Sequence, residues 1–210
     1  MRISHRYKFV FIAVPKTAST SMRVALNPFS DLKGEQDGVL KHHVRTRELK
    51  SYFAGQGWDW DAYFKFCFVR NPWDRAVSSF FYTLRQADQQ KGPQKWQAYA
   101  RKIKERCDDF EHYVLRYYET GNYLMSPFFA DSDGKVLVDF IGRYETLEQD
   151  LARICERIGI GPLTLKKLQP SGEPITKPNH EGYRAYYTPA AIEKIRTLHR
   201  PDFSYVPYDF

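Results

Sequence analysis

FIAVPKTASTSMRVAL, residues 11–26, decides the fold. The apolar run from Phe9 to Val14 reads as a buried parallel strand, because both faces of such a strand are covered. Pro15-Lys16-Thr17-Ala18 carries the chain into a helix that starts near Ser19 to Ser21. Met22, Ala25 and Leu26 keep helical spacing until Asn27-Pro28 stops it. Free backbone N–H groups at such a helix start, with the helix dipole behind them, attract a phosphate. Lys16 adds a full positive charge, and Thr17, Ser19, Thr20 and Ser21 add hydroxyls. Yet the stretch has no glycine; the first in the chain is Gly34, so the G-x-x-x-x-G-K-[ST] pattern is absent. Taken alone, the stretch is equally a lysine beside an ordinary Ser/Thr helix start.

A second stretch repeats the arrangement. In FKFCFVR, residues 64–70, a strand ends on Arg70; Asn71-Pro72 turns the chain, and a helix follows from about Asp74 with Ser78 in its early turns. A strand-end arginine and a serine near the next helix start can grip one phosphate, although Arg70 or Arg75 in a surface ion pair is the plainer alternative. Two such units in one sheet imply a ligand with two separated phosphate groups, at the carboxyl ends of parallel strands.

Further along, VLVDFIGRY (residues 136–144) reads as a third strand, followed by a helix from Leu147 through Ile158 that ends at Gly159. Shorter helices are expected over Thr46 to Tyr52, after Pro93, over Phe110 to Tyr118, and from Thr188-Pro189 to Leu198. Gly161 to Pro178 holds four prolines and no periodicity, a loop of functional length. The alternation of strand and helix predicts α/β architecture: one domain, residues 1–210, with a mainly parallel central sheet flanked by helices.

Bulk properties agree. The chain has 210 residues, 42% hydrophobic, with 12 Gly and 12 Pro, enough for a globular core. No run approaches the roughly 20 apolar residues of a membrane span. Three widely spaced cysteines form neither a disulfide framework nor a zinc pattern, so a reducing, cytoplasmic setting is expected and no metal is. A net charge of +7 favours an anionic partner; no motif of a nucleic-acid reader accompanies it, so nucleic acid is not expected as a partner.

At this point the chain resembles a known family. VPKTASTSM looks like the 5′-phosphosulfate loop of sulfotransferases, and FVRNPWDRAVSSFFY like their 3′-phosphate motif. FIGRYETLEQDL and YYTPAAIEKIRTLHRPDFSY also resemble the branch of the Golgi carbohydrate sulfotransferases, such as the chondroitin 4-O and heparan sulfate 2-O enzymes, and their bacterial relatives. The likeness runs from Lys8 to Phe210. It implies a P-loop-like fold, 3′-phosphoadenosine 5′-phosphosulfate (PAPS) as sulfuryl donor, and a hydroxylated, carbohydrate-type acceptor. It assigns Lys16, Thr17, Ala18, Ser19, Thr20 and Ser21 to the 5′ end of the donor, and Arg70 and Ser78 to its 3′-phosphate. Lys177, Tyr183 and Arg184 are candidates to close over the nucleotide; equally, they are ordinary surface residues. A sulfuryl group carries less charge than a γ-phosphoryl, so lysine and backbone can neutralise it without magnesium.

Transfer to a hydroxyl also needs a proton acceptor. KHHVRTREL resembles the family segment with a histidine ahead of a short helix, and alignment on Glu48-Leu49 puts His43 there rather than His42. His112, His180, His199 and Glu145 stay open as alternatives. A rival reading, a P-loop kinase or NTPase, rests on Asp139 in KVLVDF as a magnesium-holding carboxylate. A third, non-catalytic binding of nucleic acid, rests on net charge alone. The basic stretch with Lys91, Lys95, Arg101, Lys102 and Lys104 reads as a solvated helix face or as a surface for an anionic glycan.

Overall fold

The computed structural model describes residues 1–34, 40–89, 93–118, 123–165 and 182–210. It divides into two compact units, Met1–Arg70 with Met125–Leu168, and Asn71–Leu124 with Gln169–Phe210.

The first unit holds the sheet. Its strands are β1 (Arg2–Ser4), β2 (Phe9–Ile12), β3 (Phe64–Val69) and β4 (Phe140–Arg143), in the spatial order of their numbering. β2, β3 and β4 run parallel, while β1 pairs antiparallel with β2 through a tight hairpin. The long apolar runs of β2 and β3 follow from burial on both faces. On one face Phe9, Phe11 and Ala13 of the β2 stretch join Phe66 and Phe68 of β3. Helix α1 (Ser19–Leu26) adds Met22 and Leu26, and the amphipathic helix α6 (Leu147–Ile158) adds Leu151, Ile154, Cys155 and Ile158. Gly159, left-handed at φ 71°, ends α6 as a glycine C-cap does. A helix α2 (Thr46–Gly55) lies in the same unit and runs past the expected Tyr52.

The expected third strand is shorter than its apolar pattern. Val136 makes only an isolated bridge to Ala130, and the ladder begins at Phe140. Asp139 explains this: its carboxylate accepts the Lys65 backbone N–H at 2.7 Å and pairs with Lys65 Nζ at 3.0 Å. A side chain there takes a bond that strand backbone would otherwise accept. Within β4, Gly142 stands opposite Phe68, and a Cβ on it would lie 2.5 Å from the Phe68 ring. The ring occupies the space a side chain would need.

The second unit is helical: α3 (Pro72–Gln89), α4 (Gln94–Arg106), α5 (Phe110–Arg116), α7 (Pro189–Leu198) and α8 (Arg200–Phe203). Trp73, Phe80, Ile103, Phe110, Tyr113, Ala191 and Ile195 form its core. Asp109 caps α5 by accepting the His112 N–H at 2.8 Å, and Thr188 caps α7 ahead of Pro189. No helix among the described residues is long and apolar enough to cross a membrane.

Candidate active site

The carboxyl ends of β2, β3 and β4 each release a segment that carries chemistry. After β2 the backbone takes a left-handed conformation at Lys16 (φ 67°) and again at Ala18 (φ 59°), with Thr17 between them outside that region. Neither residue is glycine, and left-handed backbone costs a residue with a Cβ roughly 1–2 kcal/mol. Such alternation turns successive N–H groups toward one concave side, the geometry of an anion nest. Thr17 is buried and its hydroxyl donates to the Val14 carbonyl at 3.0 Å, which braces the turn from inside. That hydroxyl is therefore committed to the fold, and Thr17 offers a ligand its backbone N–H.

Ala18 is also the N-cap of α1, and no side chain caps this helix. Its first i→i−4 bond is Met22 N–H to the Ala18 carbonyl at 3.0 Å, so Ser19, Thr20 and Ser21 head the helix ahead of it. Arg23 folds back along α1, donating to the Ser19 carbonyl and to Thr20 Oγ1, both at 3.3 Å. In the second unit, by contrast, α3 is capped internally: Asn71 Oδ1 accepts from Trp73 N–H at 3.0 Å and from Asp74 N–H at 3.4 Å.

Arg70 follows β3 and is only 7% exposed. Its Nη1 donates to the Lys16 carbonyl at 3.3 Å, and its guanidinium carbon lies 4.1 Å from the centre of the Tyr144 ring. The structure thus brings Lys16 and Arg70 together. Tyr144 opens the 3-10 turn Tyr144–Thr146 after β4, and sequence reasoning passes over it; its sole local signal is a place just past a strand's carboxyl end. Asp150, buried on α6, fixes that turn by accepting from Arg143 N–H at 2.9 Å and Thr146 Oγ1 at 2.7 Å.

His43 reaches the same edge. Its Nδ1 sits 2.7 Å from the Ala13 carbonyl, one residue past β2. A carbonyl only accepts, so Nδ1 carries the hydrogen and the Nε2 lone pair of the neutral ring is left to act as a base. The protein packed around the ring pushes its pKa down to about 4; the bond to Ala13 opposes this, and the positive charges of Arg23 and the N-terminal ammonium add to it. The residue nevertheless keeps an exposed surface, so solvent reaches it. His42 next to it is tied through its backbone, its carbonyl accepting from the N-terminal ammonium at 2.5 Å.

His199 is fully buried between Asp202 (Nδ1, 2.7 Å) and Tyr118 (Nε2, 3.0 Å), a structural arrangement. His112 pairs with Asp108 at 3.3 Å, and Glu145 is exposed on the turn after β4. Asp139 precedes β4 at its amino end, the opposite edge of the sheet from the Lys16 loop, and is engaged with Lys65. A magnesium-holding strand carboxylate belongs at the other end, so the kinase reading loses its key residue. In the second unit Ser78 is buried in the second turn of α3. Tyr183 OH accepts from Asn71 Nδ2 at 3.2 Å, and exposed Arg184 lies over the Tyr183 and Phe210 rings. Lys177 and His180 lie outside the described residues, as does most of the expected loop from Gly161 to Pro178. A concavity of about 500 Å³, lined by Lys8, Tyr63, Phe64, Asp139 and Arg157, opens at the amino edge of the sheet and is remote from the Lys16 loop.

A family model described as the sulfotransferase family matches residues 1–209. An uncharacterized protein of Archaeoglobus fulgidus is 34% identical over 121 residues, 56% of this chain and 79% of that protein. Carbohydrate sulfotransferase 14 of Mus musculus is 26% identical over 182 residues, 76% of this chain but 46% of that protein, so the chain spans under half the length of this relative. No solved structure matches the chain.

Proposed function

The chain belongs to the sulfotransferase family, and from that premise we propose that it moves a sulfuryl group from PAPS to a hydroxyl, on a carbohydrate, in a reducing cytoplasmic setting. One observation carries the reading. A helix start without a side-chain cap, behind left-handed backbone at Lys16 and Ala18, and a histidine whose Nδ1 is bonded to the Ala13 carbonyl both hang on the carboxyl end of a single strand, β2.

The donor supplies the sulfuryl group. Lys16 and the N–H groups of residues 16–21 hold its 5′ end, and Arg70 with Ser78 holds its 3′-phosphate; Tyr183, Arg184 and Lys177 are assigned to the nucleotide as well. His43 takes the acceptor's proton at Nε2 as the hydroxyl oxygen bonds to sulfur. The bond from sulfur to the bridging phosphate oxygen breaks, and Lys16 meets the charge that grows there. Adenosine 3′,5′-bisphosphate leaves. The carbohydrate class of the acceptor rests on the mouse relative's name and on the resemblance of the motifs. Three cysteines, all free, suit a reducing compartment.

The test is direct: supply labelled PAPS with a panel of hydroxylated glycans and follow label transfer together with release of adenosine 3′,5′-bisphosphate. Transfer to at least one glycan is expected. Hydrolysis of ATP with magnesium, and no sulfuryl transfer to any acceptor, would overturn the reading.

A further inference from the structure

Arg70 makes two contacts at once. Its guanidinium carbon lies over the Tyr144 ring, 4.1 Å from the centre, and its Nη1 donates to the carbonyl of Lys16 at 3.3 Å. Tyr144 is in turn held by a turn that buried Asp150 fastens through Arg143 and Thr146. The three adjacent parallel strands are therefore linked at their carboxyl edge in one line: Asp150, the Tyr144 turn, the Arg70 plane, the left-handed Lys16 carbonyl. Each member narrows the freedom of the next. A guanidinium on a flexible stem samples many orientations; one held over an aromatic ring samples fewer, so its fork of donors keeps one direction. The Lys16 carbonyl is turned toward Arg70 by a backbone conformation that a residue with a Cβ adopts only when its surroundings hold it there.

We propose that Tyr144 is a positioning residue, whose ring orients the Arg70 guanidinium so that one group grips the 3′-phosphate and steadies the Lys16 loop together. This rests on the assignment of Arg70 to the 3′-phosphate. It goes further in making the two ends of the donor interdependent: a phosphate drawn onto Arg70 holds the guanidinium in the plane from which it fastens the loop, so the 3′-phosphate improves the geometry at the sulfuryl end as well as adding affinity. The ring face does this work, and the phenol hydroxyl does not enter.

The experiment measures binding of adenosine 3′,5′-bisphosphate and of AMP to the full chain by titration calorimetry, for the wild type, Tyr144→Phe, Tyr144→Leu and Arg70→Lys. The wild type prefers the bisphosphate. Tyr144→Phe keeps that preference, whereas Tyr144→Leu loses about tenfold of it, the scale of one charge-assisted hydrogen bond. Arg70→Lys loses it too, and adding Tyr144→Leu to Arg70→Lys changes nothing more, because the ring then has no planar partner to orient. Hydrogen exchange gives a readout independent of affinity: the bisphosphate slows exchange at residues 16–21 more than AMP does in the wild type and in Tyr144→Phe, and equally in Tyr144→Leu. If Tyr144→Leu does not fold, Tyr144→Met, unbranched and without a planar face, takes its place. Equal binding of both nucleotides by the wild type would remove Arg70 from the 3′-phosphate, and this proposal with it. A wild-type preference that survives in Tyr144→Leu would overturn the positioning role alone. So would a loss that falls equally on AMP, since the ring would then serve the nucleoside directly.

Discussion

His43 hangs its Nδ1–H on the carbonyl oxygen of Ala13, 2.7 Å away and 30 residues earlier in the chain. The bond joins a histidine in a loop to the end of the strand that launches the Lys16 loop. It also selects which nitrogen is basic, so tautomer and position are set together.

A pH profile follows from that environment. Folded His43 titrates near 4 and an ordinary histidine near 6.5, so between those values the unfolded chain binds a proton that the folded chain refuses. Acidification through that window removes stability; above about 6.5 the contribution is level. For turnover, the neutral base persists well below 6.5, and the acid limb is expected to fall toward about 4. His43→Ala should lose roughly 10²–10⁴ in turnover while keeping nucleotide binding, and His42→Ala much less. An acid limb still centred near 6.5, or an unimpaired His43→Ala, would move the role to another group.

Lys16 is assigned to charge that builds only as sulfur leaves its bridging oxygen. Lys16→Ala should therefore depress turnover far more than it weakens binding of adenosine 3′,5′-bisphosphate. Chelation by EDTA should leave wild-type turnover intact. Loss of binding and turnover in equal measure would make Lys16 a ground-state contact.

Arg70→Ala should weaken adenosine 3′,5′-bisphosphate by about 1.5–3 kcal/mol more than it weakens AMP. Ser78→Ala, at a buried position with a smaller group, should act in the same direction by about 1 kcal/mol. Calorimetry on both nucleotides reads this out, and a matching loss for AMP would contradict it.

Backbone strain at Ala18 makes a stability prediction. Glycine accepts φ 59° without a Cβ penalty, so Ala18→Gly should be neutral or stabilising by up to about 1 kcal/mol in the nucleotide-free protein. Ala18→Val should destabilise. Urea unfolding of both variants checks the order.

Gly142→Ala sets a Cβ against the Phe68 ring and should cost about 1–3 kcal/mol, as overpacking does. Gly161→Ala, with open space around it, is the control and should stay within about 0.5 kcal/mol. Equal melting temperatures for the two variants would mean that the ring moves aside freely.

Much of this was legible locally. The apolar runs of β2 and β3 and the helical spacing of α3, α6 and α7 depend on neighbours in sequence, and these elements match expectation within a few residues. Thr188-Pro189 marked the start of α7 equally plainly, since Thr188 caps within three residues. Contacts from afar were not. Nothing near Asp139 announces Lys65, and so the third strand looked longer than it is. The hairpin strand β1 is too short to show alternation. The Lys16 loop holds no glycine, so its sequence gives no sign of the left-handed backbone at Lys16 and Ala18, nor of Arg70 fastening the first. Tyr144 had no pattern of its own beyond following a strand.

The same long reach bears on how the molecule assembles. Arg70 and Lys16 are 54 residues apart in the chain, and Lys65 and Asp139 are 74 apart. Parallel pairings of such separation must close large loops before any contact repays the lost chain entropy, which slows folding. On a ribosome β2 and its loop emerge early, β3 much later, and β4 with Tyr144 later still. Until then Lys16 and Ala18 have little to hold them in left-handed backbone, so the Lys16 loop is expected to take shape only once Tyr144 has been synthesised.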